Sequence, residues 1–242
     1  MNHLPVITKN LILWNSAVYI LINLFTWITH GSEGLYSLFM RLGLSRIGFL
    51  EGGFWQPITS MFLHGGFLHL FMNMLGLWSI GPILERRIGS KRFFELYFFS
   101  GIIGAIFVLL FQDSNLPTIG ASGAISGLLG ALAIVLPETR MLFFFIPMRA
   151  GTLAIVMGLI SLVFAFDSSG QISHLGHLGG LLGGVFFIKW KLDAGMYHRE
   201  SPRLSLFGRN FIEPELKRDF IYQHKKPEVY YDPYTGRFII KI

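Results

Sequence analysis

Long runs of apolar residues, separated by short polar segments, occur six times along the chain. The runs lie at residues 11–29, 67–84, 93–111, 121–136, 150–166 and 174–189. A helix needs about 20 mostly apolar residues to cross the hydrocarbon core of a bilayer, and about 17 is the lower limit. The pattern therefore predicts an all-α, polytopic membrane protein with six transmembrane helices, of which the fourth and the sixth are short.

Two parts of the chain depart from this pattern. Residues 30–54, between the first two predicted helices, are too apolar for a fully solvated loop, and we expect them to lie in the membrane interface. Residues 191–242 are mixed in charge, and their last stretch, Tyr230–Ile242, has the pattern of a small hairpin with Asp232, Pro233 and Gly236 at its turn. We therefore predict a membrane domain at residues 1–190 and a small tail at residues 191–242.

Composition favours a membrane protein over a soluble one. Hydrophobic residues make up 52% of the chain and charged residues only 14%, whereas soluble domains have about 25% charged residues. The net charge of +6 does not indicate nucleic-acid binding, because the basic residues gather at the ends of apolar runs. The absence of cysteine excludes disulfides, thiol catalysis and thiolate metal sites.

Basic residues are unevenly distributed between the two predicted faces of the membrane. One face carries most of them: Lys9, Arg86, Arg87, Lys91, Arg92, Arg140, Arg149, Lys189 and Lys191. Lysine and arginine are enriched in cytoplasmic loops, and an even number of helices returns the chain to its starting side. We therefore expect both termini, and hence the tail, to be cytoplasmic.

A few strongly polar side chains fall inside the predicted helices, where they are costly and mark candidate functional sites. They are His69 with Asn73, Ser122 in the stretch Gly120–Gly123, and His174 with His177. The second, fourth and sixth predicted helices all run from the outer to the inner face. His69, Ser122 and His177 lie in the first turns of these helices, so they share a depth near the outer face.

The fourth predicted helix is too short to cross the membrane alone. Its 16 residues span about 24 Å, less than a hydrocarbon core of about 30 Å. We expect the preceding loop, residues 112–120, to dip below the outer surface beside a water-filled cavity. Ser122 then opens a helix whose unpaired N–H groups can stabilise an oxyanion during acyl transfer.

The polar residues have roles that suit peptide hydrolysis. His177 can take the Ser122 proton and later give it to the leaving amine. His69 and Asn73, four residues apart on one helix face, can add hydrogen-bond donors. No acidic residue in the helices is an obvious third member, so the sequence predicts a Ser-His dyad.

Glycines surround the serine and the histidine. Gly120 and Gly123 allow a substrate backbone to come close, while Gly180 and Gly184 give the sixth helix a face of small residues. Small residues four apart permit close packing of helices in membranes. That packing would bring Ser122 and His177 together.

Other interpretations of the same residues remain open. A serine among alanines and glycines can simply pack, and His69 with Asn73 can bond between helices. His174 and His177 could form a metal site with His64 and His69, as in a hydrolase, but the helix interiors lack carboxylates. We therefore expect no metal and no cofactor. A transporter or a client-binding protein without catalysis is a further alternative.

From about Trp55 to Trp190 the chain resembles rhomboid proteases, which have a six-helix core. The matching pieces are Phe62-Leu-His64, His69-x-x-x-Asn73, Glu85-Arg-Arg87-x-Gly89-Ser90, Gly120-Ala-Ser122-Gly123 and Gly176-His177-Leu-Gly-Gly180-x-x-x-Gly184. Each piece is a weak signal alone, but their order along successive helices is specific. The resemblance implies a rhomboid bundle, with the catalytically inactive rhomboid-like protein as the alternative.

The resemblance also implies a role for each matched residue. Ser122 would be the nucleophile and His177 the base, and His69, Asn73 and the Ser122 backbone N–H would form the oxyanion hole. Glu85 and Arg87 would order the connection between the second and third helices. Members of the family cleave single-pass membrane proteins near the outer end of the substrate helix. We therefore expect transmembrane substrates and membrane lipid as partners, no nucleic acid, a bacterial inner membrane, and an active site that opens to the outer face.

Two positions depart from the usual rhomboid pattern. Many members carry Trp-Arg where this chain has Trp55-Gln56, so a charged anchor of the outer loop is missing. Many also have an aromatic residue four positions after the nucleophile, beneath the catalytic histidine, where this chain has Ser126. We expect His177 to be oriented by the Ser126 hydroxyl or by a neighbouring aromatic such as Phe71.

Overall fold

The computed structural model describes residues 3–29, 31–112, 116–143, 146–166, 172–191, 228–232 and 237–241. The helices in these ranges are α1 (Val6–Thr29), α2 (Gly31–Leu42), α3 (Arg46–Leu50), α4 (Gln56–Thr59), α5 (Phe67–Ile88), α6 (Ser90–Phe111), α7 (Ser122–Val135), α8 (Ala150–Val163) and α9 (His174–Lys191). A 3-10 turn covers Ser60–Phe62. The strands are β1 (Arg140–Phe143), β2 (Ile146–Arg149), β3 (Glu228–Asp232) and β4 (Arg237–Lys241).

The predicted all-α class is confirmed, with each apolar run of the sequence inside one helix or extending just past its end. Among the described residues, three helices are long and apolar enough to cross a membrane: Val6–Ile28, Phe67–Ile88 and Ser90–Phe111. Ser122–Val135 and Ala150–Val163 are apolar but shorter. The shortness of α7 agrees with the length of its apolar run.

Close contact between α7 and α9 dominates the packing of the membrane helices. A Cβ atom added to Gly180 would overlap the carbonyl of Gly123, and one added to Gly184 would overlap the carbonyl of Gly127. Only glycine lets the two backbones come so close, as small residues do at helix interfaces in membranes. These two contacts fix the first turns of α7 and α9 side by side.

The connection between α5 and α6 is shorter than the hydropathy pattern indicates. The apolar run ends at residue 84, but α5 continues through its charged last turn to Ile88, and Gly89 alone separates it from α6. Gly89 has φ +82°, a conformation that L side chains rarely adopt. Arg87 is exposed in the last turn of α5.

Glu85 is 2% exposed and connects the α5–α6 turn with the start of α1. Its carboxylate accepts hydrogen bonds from the Ser90 hydroxyl at 2.7 Å, from the Ile7 N–H at 3.0 Å and from the Thr8 N–H at 2.8 Å. The Thr8 hydroxyl donates a fourth bond at 2.8 Å. A carboxylate at a helix N-terminus satisfies free N–H groups and complements the helix dipole. Glu85 therefore caps α1 from the end of α5.

The segment predicted as an interfacial loop, residues 30–54, contains the helices α2 and α3. The neutral side chain of Gln56 anchors it where a charged anchor is missing. Gln56 is 2% exposed, accepts a hydrogen bond from the Ser45 N–H at 3.2 Å, and donates to the Arg41 carbonyl at 3.3 Å. The Trp55 ring also donates to the Arg41 carbonyl, at 3.1 Å. An amide that donates and accepts thus holds the returning chain without a buried charge.

Two antiparallel hairpins lie outside the helices. β1 pairs with β2 in register Arg140↔Arg149, between α7 and α8. In the tail, β3 pairs with β4 in register Glu228↔Lys241. These two strands lie where the sequence predicted a hairpin. Pro233 and Gly236 of the predicted turn lie outside the described residues.

Candidate active site

Ser122 is the first residue of α7, and the backbone there has free hydrogen-bond donors. The first backbone bond of this helix is donated by the Ile125 N–H to the Ala121 carbonyl, at 3.0 Å. Ala121, which precedes the helix, offers no side-chain cap. Among the described residues, the N–H groups of Ser122 and Gly123 therefore have no hydrogen-bond partner, and they lie at the positive end of the helix dipole. A developing negative charge beside the Ser122 side chain would be stabilised there.

His177 faces Ser122 from the first turn of α9. Its Nε2 atom lies 2.7 Å from the Ser122 Oγ, a short hydrogen-bond distance. In the part of the chain that the structure describes, no carboxylate bonds to the His177 ring. The arrangement is a two-residue pair, in which a neutral His177 with its proton on Nδ1 can accept the Ser122 proton at Nε2.

The orientation of His69 follows from a backbone hydrogen bond. The Gly65 N–H donates to His69 Nδ1 at 3.4 Å, so the neutral ring carries its proton on Nε2. A Cβ atom added to Gly120 would lie 2.6 Å from that Nε2 and 3.7 Å from the Ser122 Oγ. Gly120 has φ +120° and donates its N–H to the Ser60 carbonyl at 2.9 Å. The His69 N–H donor and the Ser122 hydroxyl therefore both border the space beside Gly120, where a side chain would be strained and would crowd the His69 ring.

Asn73 lies one helical turn beyond His69 and is 6% exposed. Its Nδ2 donates to the His69 carbonyl of its own helix at 2.8 Å. One amide hydrogen remains for another acceptor. The Asn73 Oδ1 is buried and has no hydrogen-bond partner among the described residues. Asn73 can therefore contribute one donor to the site.

His64 and His174 lie near the site, but in the described structure neither forms a hydrogen bond to the Ser122 hydroxyl. His64, in the segment before α5, is 3% exposed, and its ring lies 5.0 Å from the His69 ring. Burial lowers the pKa of His64 to about 4, so it is neutral at pH 7. His174 packs between Phe164 at 5.5 Å and His177 at 6.3 Å, measured between ring centres.

Among the described residues, neither of the two side chains expected to orient His177 forms a hydrogen bond or a ring contact with it. Phe71 is 49% exposed, and its ring stacks on Phe67 at 6.2 Å. Ser126 lies on α7 and, among the described residues, forms no side-chain hydrogen bond to His177. The ring next to His177 is instead that of His174, three residues earlier on the same helix. The aromatic neighbour of His177 in the described structure therefore belongs to α9 itself.

Three polar residues next to the site were not predicted from the sequence: Gln112, Thr118 and Ser173. Gln112 follows α6, Thr118 precedes α7, and Ser173 precedes α9. Their side chains are joined by hydrogen bonds of 2.8 Å (Ser173 to Gln112) and 3.1 Å (Gln112 to Thr118). In the sequence, each of these residues is marked only by being a polar residue near the end of an apolar run. Such residues are too common to indicate a functional role.

Comparison with known proteins agrees with this fold. Residues 51–192, more than half of the chain, match the Rhomboid domain. The protein is therefore an integral membrane protein that belongs to the rhomboid family. It is similar to Rhomboid protease GluP of Bacillus subtilis, with 44% identity over 136 residues, which are 56% of this chain and 26% of GluP.

Two further relatives show the range of the family. Rhomboid protein 1, mitochondrial, of Saccharomyces cerevisiae is 34% identical over 161 residues, covering 64% of this chain and 46% of the relative. Inactive RHOMBOID-like protein 8 of Arabidopsis thaliana is 32% identical over 128 residues, covering 53% of this chain and 35% of the relative. The chain thus matches less than half of each of the three relatives, of which one is named as a protease and one as inactive.

Proposed function

We propose that this protein is an intramembrane serine endopeptidase with Ser122 as nucleophile and His177 as general base. The observation that carries the proposal is the 2.7 Å separation of the Ser122 Oγ and the His177 Nε2 at the start of α7. A nucleophile within hydrogen-bond reach of its base, beside unpaired N–H groups, is the arrangement that acyl transfer requires. Similarity to GluP, a named rhomboid protease, supports the same reaction.

In the first half of the proposed reaction, the Ser122 proton passes to His177 Nε2 while the Oγ forms a bond to the substrate carbonyl carbon. The carbonyl oxygen becomes an oxyanion, which accepts hydrogen bonds from the Ser122 N–H, His69 Nε2–H and Asn73 Nδ2–H. The C–N bond then breaks. The protonated His177 gives its proton to the leaving amine, and an acyl ester remains on Ser122.

In the second half, water replaces the amine. His177 takes a proton from the water as the hydroxyl oxygen attacks the ester carbonyl, and the same donors stabilise the second oxyanion. The C–O bond to Ser122 breaks, and the proton on His177 returns to the Ser122 oxygen. The products are a carboxylic acid and the free enzyme, so the cycle needs no cofactor and leaves His177 neutral.

The substrates that we propose are single-pass membrane proteins, cut at or near the outer end of their transmembrane helix. Membership of the rhomboid family and the apolar surface of the bundle support substrates that lie in the bilayer. The distribution of basic residues supports cytoplasmic termini and an active site that opens to the outer face, here of a bacterial inner membrane. We propose residues 1–190 as the catalytic domain and residues 191–242 as its cytoplasmic tail.

Cleavage in reconstituted vesicles tests the proposal. Purified protein is mixed in liposomes with a single-pass substrate that has small residues and a helix break near its outer end, and the fragments are identified by mass spectrometry. We expect cleavage by the unaltered protein and a loss of at least about 10⁴-fold in Ser122→Ala. Equal cleavage by both proteins would reject Ser122 as the nucleophile. Binding of the substrate without cleavage by either would favour a client-binding rhomboid-like protein.

A further inference from the structure

Gln112 links the segment that leads to Ser122 with the segment that leads to His177. The Ser173 hydroxyl donates to Gln112 Oε1 at 2.8 Å, and Gln112 Nε2 donates to the Thr118 hydroxyl at 3.1 Å. Thr118 lies four residues before Ser122, and Ser173 lies four residues before His177. One side chain therefore joins two segments that are 55 residues apart in sequence. Its two partners lie equally far along the chain from Ser122 and from His177.

The two residues that Gln112 joins are themselves hydrogen-bonded to other parts of the fold: Ser173 to the first turn of α9, and Thr118 to Leu44 in the segment between α2 and α3. The Ser173 hydroxyl accepts the Gly176 N–H at 3.3 Å, and the Ser173 carbonyl accepts the His177 N–H at 3.1 Å. Thr118 pairs through its backbone with Leu44, with hydrogen bonds of 2.8 Å and 2.9 Å. A shift of either segment would therefore move the start of α7 relative to the start of α9.

Gln112 is well placed to act as a fixed reference for both segments. Its own N–H continues the hydrogen bonding of α6 by donating to the Val108 carbonyl at 3.0 Å. The same helix packs against both partners of the site. Ser100 of α6 lies against Gly127 of α7, and Phe107 lies against Gly179 of α9. A side chain on α6 can therefore set the spacing of α7 and α9 at their outer ends, beyond the glycine contacts.

We infer that Gln112 is a positioning residue that holds the Ser122–His177 pair at its reactive distance. The inference depends on the proposed function, because it concerns the rate of that reaction. A primary amide suits the role, since it accepts through one atom and donates through the other, and thus satisfies two hydroxyls without a charge. Small errors in the placement of reacting groups lower rates strongly, so loss of the link should reduce turnover more than binding.

The test measures kcat and KM for vesicle cleavage together with the rate at which a fluorophosphonate labels Ser122. Gln112→Met keeps the length of the side chain and removes both hydrogen bonds. Thr118→Val keeps the shape of the threonine and removes one. We expect each variant to lower kcat and the labelling rate by about 5- to 20-fold, with KM nearly unchanged. The double variant should fall no further than Gln112→Met alone, because both substitutions break the same link.

Matched controls separate positioning from general damage. Thr26→Val removes a hydroxyl that bonds only within α1, at 2.9 Å to the Ile22 carbonyl, and should leave kcat and labelling unchanged. A wild-type kcat in Gln112→Met would overturn the inference. So would a double variant whose loss of kcat equals the product of the two single losses. If Gln112→Met does not fold, Thr118→Val decides, and wild-type kcat in it would also overturn the inference. Absence of both cleavage and labelling in the unaltered protein would instead reject the proposed function.

Discussion

Around Ser122, the protein supplies donors and an acceptor in fixed orientations before any substrate is present. The Gly65 N–H at His69 Nδ1 selects the tautomer whose proton lies on Nε2, on the side of Gly120. Among the described residues, no side-chain cap occupies the N–H groups at the start of α7. Donors oriented in advance stabilise a developing oxyanion without reorganisation during the reaction. His69 is therefore expected to matter more than Asn73, whose amide already bonds within its own helix.

Substitution of the two candidate oxyanion donors tests this ranking. We expect His69→Ala to lower kcat by about 10²- to 10³-fold, the usual cost of losing one oxyanion-hole donor. Asn73→Ala should cost less, because only one of its amide hydrogens is free for an oxyanion. Steady-state cleavage in vesicles gives both values, with thermal unfolding as a check on folding. A larger loss of kcat in Asn73→Ala than in His69→Ala would contradict the ranking.

The sequence was sufficient to nominate individual residues but not their surroundings. The order of the short motifs along successive helices pointed to Ser122, His177, His69 and Asn73, because residue types and spacing carry that information. The replacement for a charged anchor could not be predicted, since it depends on where the Gln56 amide meets backbone groups of a distant segment. The position of His174 beside His177 likewise arises only when α9 is built.

At the level of helices, backbone contact between α7 and α9 brings Ser122 and His177 together. Hydropathy predicted both helices because their apolar runs are clear. It underestimated the lengths of α5 and α6, because the charged residues at their ends are helical, so that the apolar runs are shorter than the helices. It also missed the helices α2 and α3, because apolar residues alone cannot distinguish an interfacial helix from a loop.

An added methyl group at the α7–α9 contact should separate the two helices. We expect Gly180→Ala to lower the free energy of unfolding by about 1–3 kcal/mol and to reduce cleavage, because its Cβ would overlap the Gly123 carbonyl. Gly158→Ala on α8 is the matched control, since its Cβ would lie 3.8 Å from Leu181, an ordinary contact. Unfolding in one detergent compares the two. Equal stability of both variants would count against the backbone contact as the feature that holds the site.

For the whole molecule, the surrounding bilayer explains features that would be unfavourable in water. Large apolar side chains are exposed on the outside of the bundle, among them Trp27 at 80% and Phe166 at 79%. Membership of a membrane-protein family makes this surface the lipid contact, which needs no further burial. The sequence predicted this environment from its apolar runs and its composition. The positions of the two termini relative to the membrane remain a proposal from the distribution of basic residues.

Labelling of introduced cysteines tests that orientation, and the chain is suited to it because it contains no cysteine. Glu51→Cys lies in the proposed outer segment and Lys9→Cys in the proposed cytoplasmic one. In intact cells, a membrane-impermeant maleimide should label Glu51→Cys but not Lys9→Cys. After the cells are permeabilised, it should also label Lys9→Cys. Labelling of Lys9→Cys alone in intact cells would reverse the proposed topology.

The central claim is that His177 activates Ser122 for nucleophilic attack, and covalent labelling tests it most directly. Membranes that contain the protein are treated with a fluorophosphonate, and the modified residue is mapped by mass spectrometry. We expect the probe on Ser122 in the unaltered protein and no label in His177→Ala, while Ser79→Ala, which removes a serine hydroxyl of α5 that bonds to the Leu75 carbonyl, labels normally. Absence of label at Ser122, or equal labelling in His177→Ala, would contradict the account.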